Sequence, residues 1–158
     1  MKNKPIAPFF FEEPPKQKKS KDPFQESQLR KKRFDKTASM KFPVTEMESR
    51  ELRRLYSFYK EDLQATSITE FFTMLLRYGL RHPELLKTHF VYENTGTYKT
   101  VKPNQIEKSL IAGGNGFAIE WGVSERKTLH HIIFSVMEYL KKGGKMKIEE
   151  IQPIRPLE

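Results

Sequence analysis

Residues 41–80 read KFPVTEMESRELRRLYSFYKEDLQATSITEFFTMLLRYGL, and this stretch decides the fold. It begins, together with Met40, as an alternation of apolar and other side chains. The apolar positions are Met40, Phe42 and Val44, and the other positions are Lys41, Pro43 and Thr45. A period of two predicts a half-buried strand. Because proline has no N–H to donate to a ladder, Pro43 limits this strand to a sheet edge or a two-stranded ribbon.

Two helices, each with an N-cap signal, follow the strand. Thr45 with Glu48 matches the capping box, in which hydroxyl and carboxylate satisfy free backbone N–H groups reciprocally. Ser67 with Glu70 repeats the pattern, and the polar residues 60–66 contain the turn. Apolar residues at helical spacing predict the buried stripes. They are Met47, Leu52, Leu55, Phe58 and Tyr59 in the first helix, and Ile68, Phe71, Phe72, Leu75 and Leu76 in the second.

A strand and two helices in about 45 residues bury too little surface to form a core alone. The unit therefore needs a partner, and a degenerate second copy lies between residues 99 and 141. Residues of the second copy lie 59 positions after the matching residues of the first unit. Val101 matches Phe42 (101 minus 42), Asn104 matches Thr45, and Glu107 matches Glu48. The last helix, capped by Ser124 and ended by Gly143, matches at an offset of 61.

The second copy breaks at Gly113-Gly114-Asn115-Gly116, where its first helix should continue. Each glycine inside a helix costs about 1 kcal/mol relative to alanine. Either that helix stops near Ala112, or the copy has a different topology. The sequence leaves both a true duplication and its absence open.

The chain divides into five segments by composition. Residues 1–39 hold eleven Lys/Arg against five Asp/Glu and half of the ten prolines, which predicts a disordered basic arm. The first strand-helix-helix unit occupies residues 40–82, and residues 83–97 form a linker or a hairpin. The second unit occupies residues 98–143, and residues 144–158 form a C-terminal tail.

The overall charge favours a polyanionic partner. The formal net charge is +9 and the sequence pI is about 9.6, as in many nucleic-acid-binding domains. The absence of cysteine excludes disulfides and thiolate metal sites, which fits a cytoplasmic protein. No apolar run is long enough to span a bilayer. The N-terminal apolar patch leads directly into Glu12 and Glu13, unlike a signal peptide.

The unit at residues 40–80 resembles the ribbon-helix-helix family of DNA-binding proteins in element order, lengths and pattern. The resemblance implies that two strands pair into a ribbon that enters the major groove, either between two chains or within an internal pseudo-dimer. It also implies that outward strand residues contact base edges and that amides at the start of the second helix clamp phosphates. The implied base contacts are Lys41, Pro43, Thr45, Thr100 and Lys102, with Asn104 also outward, and the implied phosphate contacts are Thr66, Ser67 and Ile68.

The chemistry of these residues supports base contact only in part. Lysine can donate to guanine O6 and N7, and threonine can donate, accept or touch a thymine methyl. Pro43 has no side-chain hydrogen bond to offer. The basic cluster Arg30, Lys31, Lys32 and Arg33 adds expected contacts to the phosphate backbone. The competing interpretation is that Thr45 and Ser67 are only helix caps and that Lys41 is only a solvated lysine.

The resemblance implies a non-enzymatic protein that binds double-stranded DNA as a homodimer or internal pseudo-dimer. Proteins of this kind are typically transcriptional repressors, plasmid partition factors or accessory proteins of a relaxase, and the arm and second unit favour a mobile-element role. The alternative is a protein-interaction adaptor or antitoxin-like inhibitor that holds its partner through the Phe patch at residues 8–15 or through the C-terminal tail. An RNA-binding protein is a third possibility.

Catalytic and cofactor chemistry finds no support in the residue pattern. No arrangement of nucleophile, base and acid stands out, and no cofactor motif is present. His130 and His131 are adjacent on a helix and point about 100° apart, so they cannot share a metal without outside ligands. We therefore expect no catalytic residues, no cofactor and no metal.

Overall fold

The computed structural model describes residues 37–156, which are mainly helical with one small two-stranded sheet. The elements are β1 (Met40–Pro43), α1 (Glu46–Tyr59), α2 (Ile68–Arg81), β2 (Tyr98–Val101), α3 (Gln105–Ala112), α4 (Phe117–Trp121) and α5 (Glu125–Lys141). Two short 3₁₀ turns lie at Pro83–Leu85 and Ile148–Ile151. The predicted class, mainly α with a short β-ribbon, is confirmed. Most of the basic arm, including Arg30 to Arg33 and the Phe patch, lies outside the described residues.

The ribbon joins the strands of the two predicted units. β1 pairs antiparallel with β2, and the paired residues are Met40 with Val101, Lys41 with Thr100, Phe42 with Lys99, and Pro43 with Tyr98. Hydrogen bonds continue the pairing beyond both ends, from the Ala38 N–H to the Pro103 carbonyl (3.1 Å) and from the Val44 N–H to the Thr97 carbonyl (2.9 Å). The two-stranded ribbon that Pro43 allowed is therefore present.

The inward face of β1 is as predicted, but its outward face is not. Met40, Phe42 and Val44 are buried, and Lys41 is exposed. Pro43 was predicted to face outward and is buried. The reason lies in residues 95–97, which run beside the end of β1, where the Thr95 hydroxyl donates to the Val44 carbonyl (2.7 Å). Pro43 is therefore part of the packed end of the ribbon.

α1 begins as predicted, but it buries a narrower face. The Thr45 hydroxyl accepts from the Glu48 N–H (3.1 Å), and the Glu48 carboxylate accepts from the Thr45 N–H (2.9 Å). Leu52 is fully buried, whereas Met47 and Phe58 are 71% and 73% exposed. The predicted stripe was thus wrong at Met47 and Phe58, whereas Leu55 and Tyr59 are half-buried against the core as predicted.

The core lies between α2 and α5. Gly79 permits their close approach, since a Cβ there would lie 2.7 Å from the Ile132 Cγ2 atom. α2 also packs against β2, and α5 packs against β1, so each long helix flanks the strand of the other predicted unit. The fully buried residues of this layer include Phe71, Leu75, Leu76, Leu129, Ile132, Ile133 and Val136.

The elements after β2 follow the predicted order with one interruption. Asn104 and Glu107 form a capping box at the start of α3, with both hydrogen bonds at 2.8 Å. α3 ends at Ala112, as the glycine run allowed, and α4 is inserted before α5. Ser124 caps α5.

Two connecting segments differ from expectation. Residues 86–97 contain no strand, so the hairpin alternative was wrong: its second strand forms as β2, but β2 pairs with β1. The predicted C-terminal tail is packed on the fold as far as Ile154. Its Ile151 is 2% exposed, and the Arg81 guanidinium donates to the Glu150 carbonyl (2.8 Å). The Asn104 side-chain amide donates to the Ile154 carbonyl (2.9 Å).

Candidate nucleic-acid interface

The outward face of the ribbon presents Lys41 and Thr100 side by side. The two residues are directly paired in the ladder, at the middle of the ribbon. Lys41 is exposed and Thr100 is half-buried. In an antiparallel pair, directly opposite residues hold their Cβ atoms about 4.5–5.5 Å apart. The centre of the ribbon therefore offers an ammonium group and a hydroxyl to the same small area.

Tyr98 and Arg126 extend this face and were missed from the sequence. The Arg126 guanidinium lies 4.7 Å from the centroid of the Tyr98 ring, and its Nη1 atom lies 3.4 Å from the tyrosine Oη atom. The Tyr98 hydroxyl also contacts the Asn94 side-chain oxygen (2.5 Å). The alternation that identified Thr100 and Lys102 could have identified Tyr98. Nothing in the local sequence indicated that Arg126, from the first turn of α5, would reach it.

A basic cleft runs beside β1. This β1 cleft has a volume of about 610 Å³, and its lining residues are Ser39, Met40, Lys41, Tyr92, Lys108, Ser124, Glu125 and Arg126. Three of them are cationic and one is a carboxylate. The cations come from three different elements, β1, α3 and α5. Their convergence creates a positive surface next to the exposed lysine of the ribbon, which favours anionic groups.

A smaller and less positive cleft lies on the other side, at the start of α2. This β2 cleft has a volume of about 310 Å³ and is lined by Ser67, Thr69, Glu70, Thr73, Arg77 and Lys102. Lys102 is exposed, and its backbone N–H donates to the Thr73 hydroxyl (3.0 Å). Arg77 is committed to the buried Glu107 carboxylate through its Nε atom (2.7 Å). Lys102 is therefore the cation of this cleft best placed for a ligand.

The predicted phosphate site at the start of α2 is partly occupied by protein. The Thr66 N–H and hydroxyl both donate to the Glu70 carboxylate (2.7 and 2.6 Å), so the prediction of a free Thr66 amide was wrong. These hydrogen bonds hold the pKa of Glu70 below its usual value, although its partial burial opposes them. Within residues 37–156 the amides of Ser67 and Ile68 have no acceptor. Two amides thus stay available to an anion.

Two further predicted contacts serve the fold. Asn104 is 2% exposed, so its outward placement was wrong. Thr45 is half-buried, and its hydroxyl accepts the helix-capping hydrogen bond. Of the five predicted base contacts, Lys41 and Thr100 lie together on the ribbon, and Lys102 lies just beyond β2. Pro43 and Thr45 do not join them.

The buried histidines of α5 lie under aromatic side chains and outside both clefts. His130 is 2% exposed and packs against Phe134, with ring centroids 4.4 Å apart. Burial is the main cause that lowers the pKa of His130 to about 4, and the neighbouring His131 and Lys127 add to it. In the described part of the chain, no three His, Asp or Glu side chains converge as metal ligands would.

Comparisons with known proteins add no further identification. The chain matches no protein-family model, no curated protein and no solved structure. Among residues 37–156, no helix is both long enough and apolar enough to cross a membrane.

Proposed function

We propose that this protein binds double-stranded DNA and places the outward face of its ribbon in the major groove. The major groove admits a two-stranded β-ribbon, where lysine can donate to guanine O6 and N7 and threonine can donate, accept or touch a thymine methyl. The observation that carries the proposal is the exposed Lys41 paired with Thr100, with the other two cations of the β1 cleft, Lys108 and Arg126, alongside. No catalytic step is part of the proposal.

The ladder register supports an internal pseudo-dimer. The offset of 59 makes Thr100 the counterpart of Lys41 (100 minus 41), and these two residues are also paired in the ribbon. A two-fold axis at the centre of a ribbon requires that the residue on the axis pair with its own counterpart. The neighbouring pairs then follow from antiparallel pairing: Phe42 pairs with Lys99, the counterpart of Met40, and Met40 pairs with Val101, the counterpart of Phe42. One chain would then supply both strands that two chains supply in a homodimer.

Phosphate contacts would come from both sides of the ribbon. Lys108 and Arg126 lie in the β1 cleft, and Lys102 lies near the available amides of Ser67 and Ile68. Cations that neutralise phosphates release condensed counterions, which makes affinity strongly dependent on salt. The cluster Arg30 to Arg33 belongs to the same proposal as an additional backbone contact.

The biological role that we favour is that of a regulator or accessory factor of a plasmid or other mobile element. A small repressor needs neither a long basic arm nor a second unit in the same chain. An accessory protein that organises DNA for another enzyme can use both, because the arm adds affinity that does not depend on sequence.

The test is duplex binding by the full chain, measured by fluorescence anisotropy at salt concentrations from about 50 to about 200 mM. We expect the logarithm of the binding constant to fall linearly with the logarithm of the salt concentration. Replacing Lys41 and Thr100 by alanine should cost about 1–3 kcal/mol per lost base contact on the preferred sequence, with little change in melting temperature.

Lys142→Ala provides the matched control. This lysine is exposed and follows the last residue of α5, about 24 Å along the helix from Arg126 at 1.5 Å per residue. Its removal should leave the affinity for the preferred sequence nearly unchanged. Absence of duplex binding at the lowest salt concentration would refute the proposal.

A further inference from the structure

The two halves of the ribbon are not chemically equivalent. Lys41 and its counterpart Thr100 differ in charge and in hydrogen-bonding capacity. Pro43 is buried, whereas its counterpart Lys102 is exposed. A homodimer of identical strands would repeat the same side chains in both halves, but this ribbon repeats none of its outward ones.

The two clefts differ as well. The β1 cleft holds Lys41, Lys108 and Arg126 against one carboxylate, that of Glu125. The β2 cleft is half as large and holds Lys102 and the committed Arg77 against the Glu70 carboxylate. The ribbon could lie in the groove in either of two orientations, related by half a turn about the axis through its centre. Exchanging them would put the nearly neutral β2 cleft on the flank of the duplex where the strongly positive β1 cleft had been. The two orientations therefore cannot have the same binding free energy.

We infer that the preferred DNA site is non-palindromic and that a single chain binds it in one orientation, with the β1 cleft on the flank that provides most phosphate contacts. This inference rests on the proposed function. Palindromic sites mirror the two-fold symmetry of the protein that reads them, and here the approximate symmetry of the backbone is not shared by the side chains. Lysine favours a guanine edge, whereas threonine tolerates several bases, so the two half-sites should differ in sequence.

Site selection is the first experiment. The full chain is used to enrich duplexes from a randomised pool, and the enriched site is then compared with the two palindromes built by doubling either half. Because mismatched base pairs weaken specific binding at each position, both palindromes should bind roughly tenfold or more weakly than the selected site. A palindrome that binds as tightly as the selected site would overturn the inference.

Tethered cleavage then tests the orientation directly. The chain contains no cysteine, so a single introduced thiol can carry an iron chelate that cuts nearby DNA. Glu61→Cys lies six residues before the Ser67 cap, and Glu120→Cys lies four residues before the Ser124 cap; both positions are exposed. Because both variants remove one surface carboxylate, they are matched in charge.

Each variant should cut one flank of the selected site, and the two variants should cut opposite flanks. Equal cutting of both flanks by each variant would mean that the chain binds in both orientations and would overturn the inference while leaving the proposed function intact. Two chains per site in the complex, measured by native mass spectrometry, would also overturn it. Failure to enrich or bind any duplex would instead refute the proposed function.

Discussion

Acidification should destabilise this fold through His130, well above the pH at which carboxylates are protonated. The side chain is 2% exposed, and its Nδ1 atom has no hydrogen-bond partner within residues 37–156. Its neighbours are aromatic rings, with Phe134 at 4.4 Å and Tyr92 at 5.3 Å between centroids. The charged groups that face it, His131 and Lys127, are positive or become positive on acidification. A proton on His130 is thus costly in the folded chain.

The sign and size of the effect follow from the two pKa values. The pKa of His130 is about 4 in the folded chain and 6.5 in the reference state. Between those values the unfolded chain binds more protons, so the free energy of unfolding falls as the pH falls from 6.5 towards 4 and then levels off. The full shift corresponds to about 3 kcal/mol, of which about 2 kcal/mol is lost between about pH 7 and about pH 5. The pKa of His131 is lowered in the same direction, again chiefly by burial, which adds to the loss.

Urea unfolding of the full chain, followed by circular dichroism at about pH 7 and about pH 5, measures this loss. His130→Phe removes the titrating group but keeps an aromatic ring, so its stability should change much less over the same interval. His130→Gln serves as a second variant if the phenylalanine ring is too large for the site. His89→Gln is the control, because His89 is exposed and stacks on Phe90. A stability that stays constant from pH 7 to pH 5, or an equal loss in the His130 variants, would refute the reasoning.

Three further predictions concern packing, a buried ion pair and phosphate contact. Gly79→Ala should lose about 1–3 kcal/mol of stability in thermal unfolding through overpacking, since the added methyl carbon would lie 2.7 Å from the Ile132 Cγ2 atom of α5. Gly114→Ala is the control, because a methyl carbon there would meet no atom within 4 Å. Glu107→Gln should lose up to about 3–5 kcal/mol in urea unfolding, because it leaves a largely buried guanidinium without its carboxylate, and an unchanged midpoint would contradict this. Arg126→Gln should reduce the salt slope of duplex binding by about 1, whereas Lys142→Gln should not, and equal slopes would exclude Arg126 from phosphate contact.

Local signals in the sequence were sufficient for the helix boundaries. Each N-cap hydrogen bond at Thr45, Ser67, Asn104 and Ser124 spans three residues and forms as predicted. The reciprocal bond of the box predicted at Ser67 does not form, because the Glu70 carboxylate accepts from Thr66 instead. The strand alternation likewise placed Met40 and the other inward residues correctly. These features depend on neighbours in the chain, so a single sequence contains the information that decides them.

The errors occur where distant segments meet. The alternation of β1 places Pro43 on the outward face. Pro43 is nevertheless buried, because it lies at the end of the ribbon where residues 95–97 run beside β1. Phe58 lies at the helical spacing of the buried residues of α1 but is exposed. How much of α1 is covered depends on how α1 and α2 pack, which the local pattern does not contain. The β1 cleft was missed for the same reason, since Lys41, Lys108 and Arg126 come from three elements far apart in the chain, 85 positions from first to last (126 minus 41), and converge only in the fold.

The offset within the sequence and the register of the ribbon agree, because the inward apolar residues of the two strands contribute to both. The offset of 59 comes from the caps and apolar positions of two segments, whereas the register comes from backbone pairing. A slip of one residue would turn the inward side chains of a strand outward, and it would also separate Lys41 from its counterpart. Burial of Phe42 and Val101 therefore excludes a slip of one residue, which would leave no residue paired with its own counterpart. Joining both halves in one chain has a further consequence: each half can change alone. The ribbon can keep its antiparallel pairing while Lys41 lies opposite Thr100, which fits the non-palindromic DNA site that we propose.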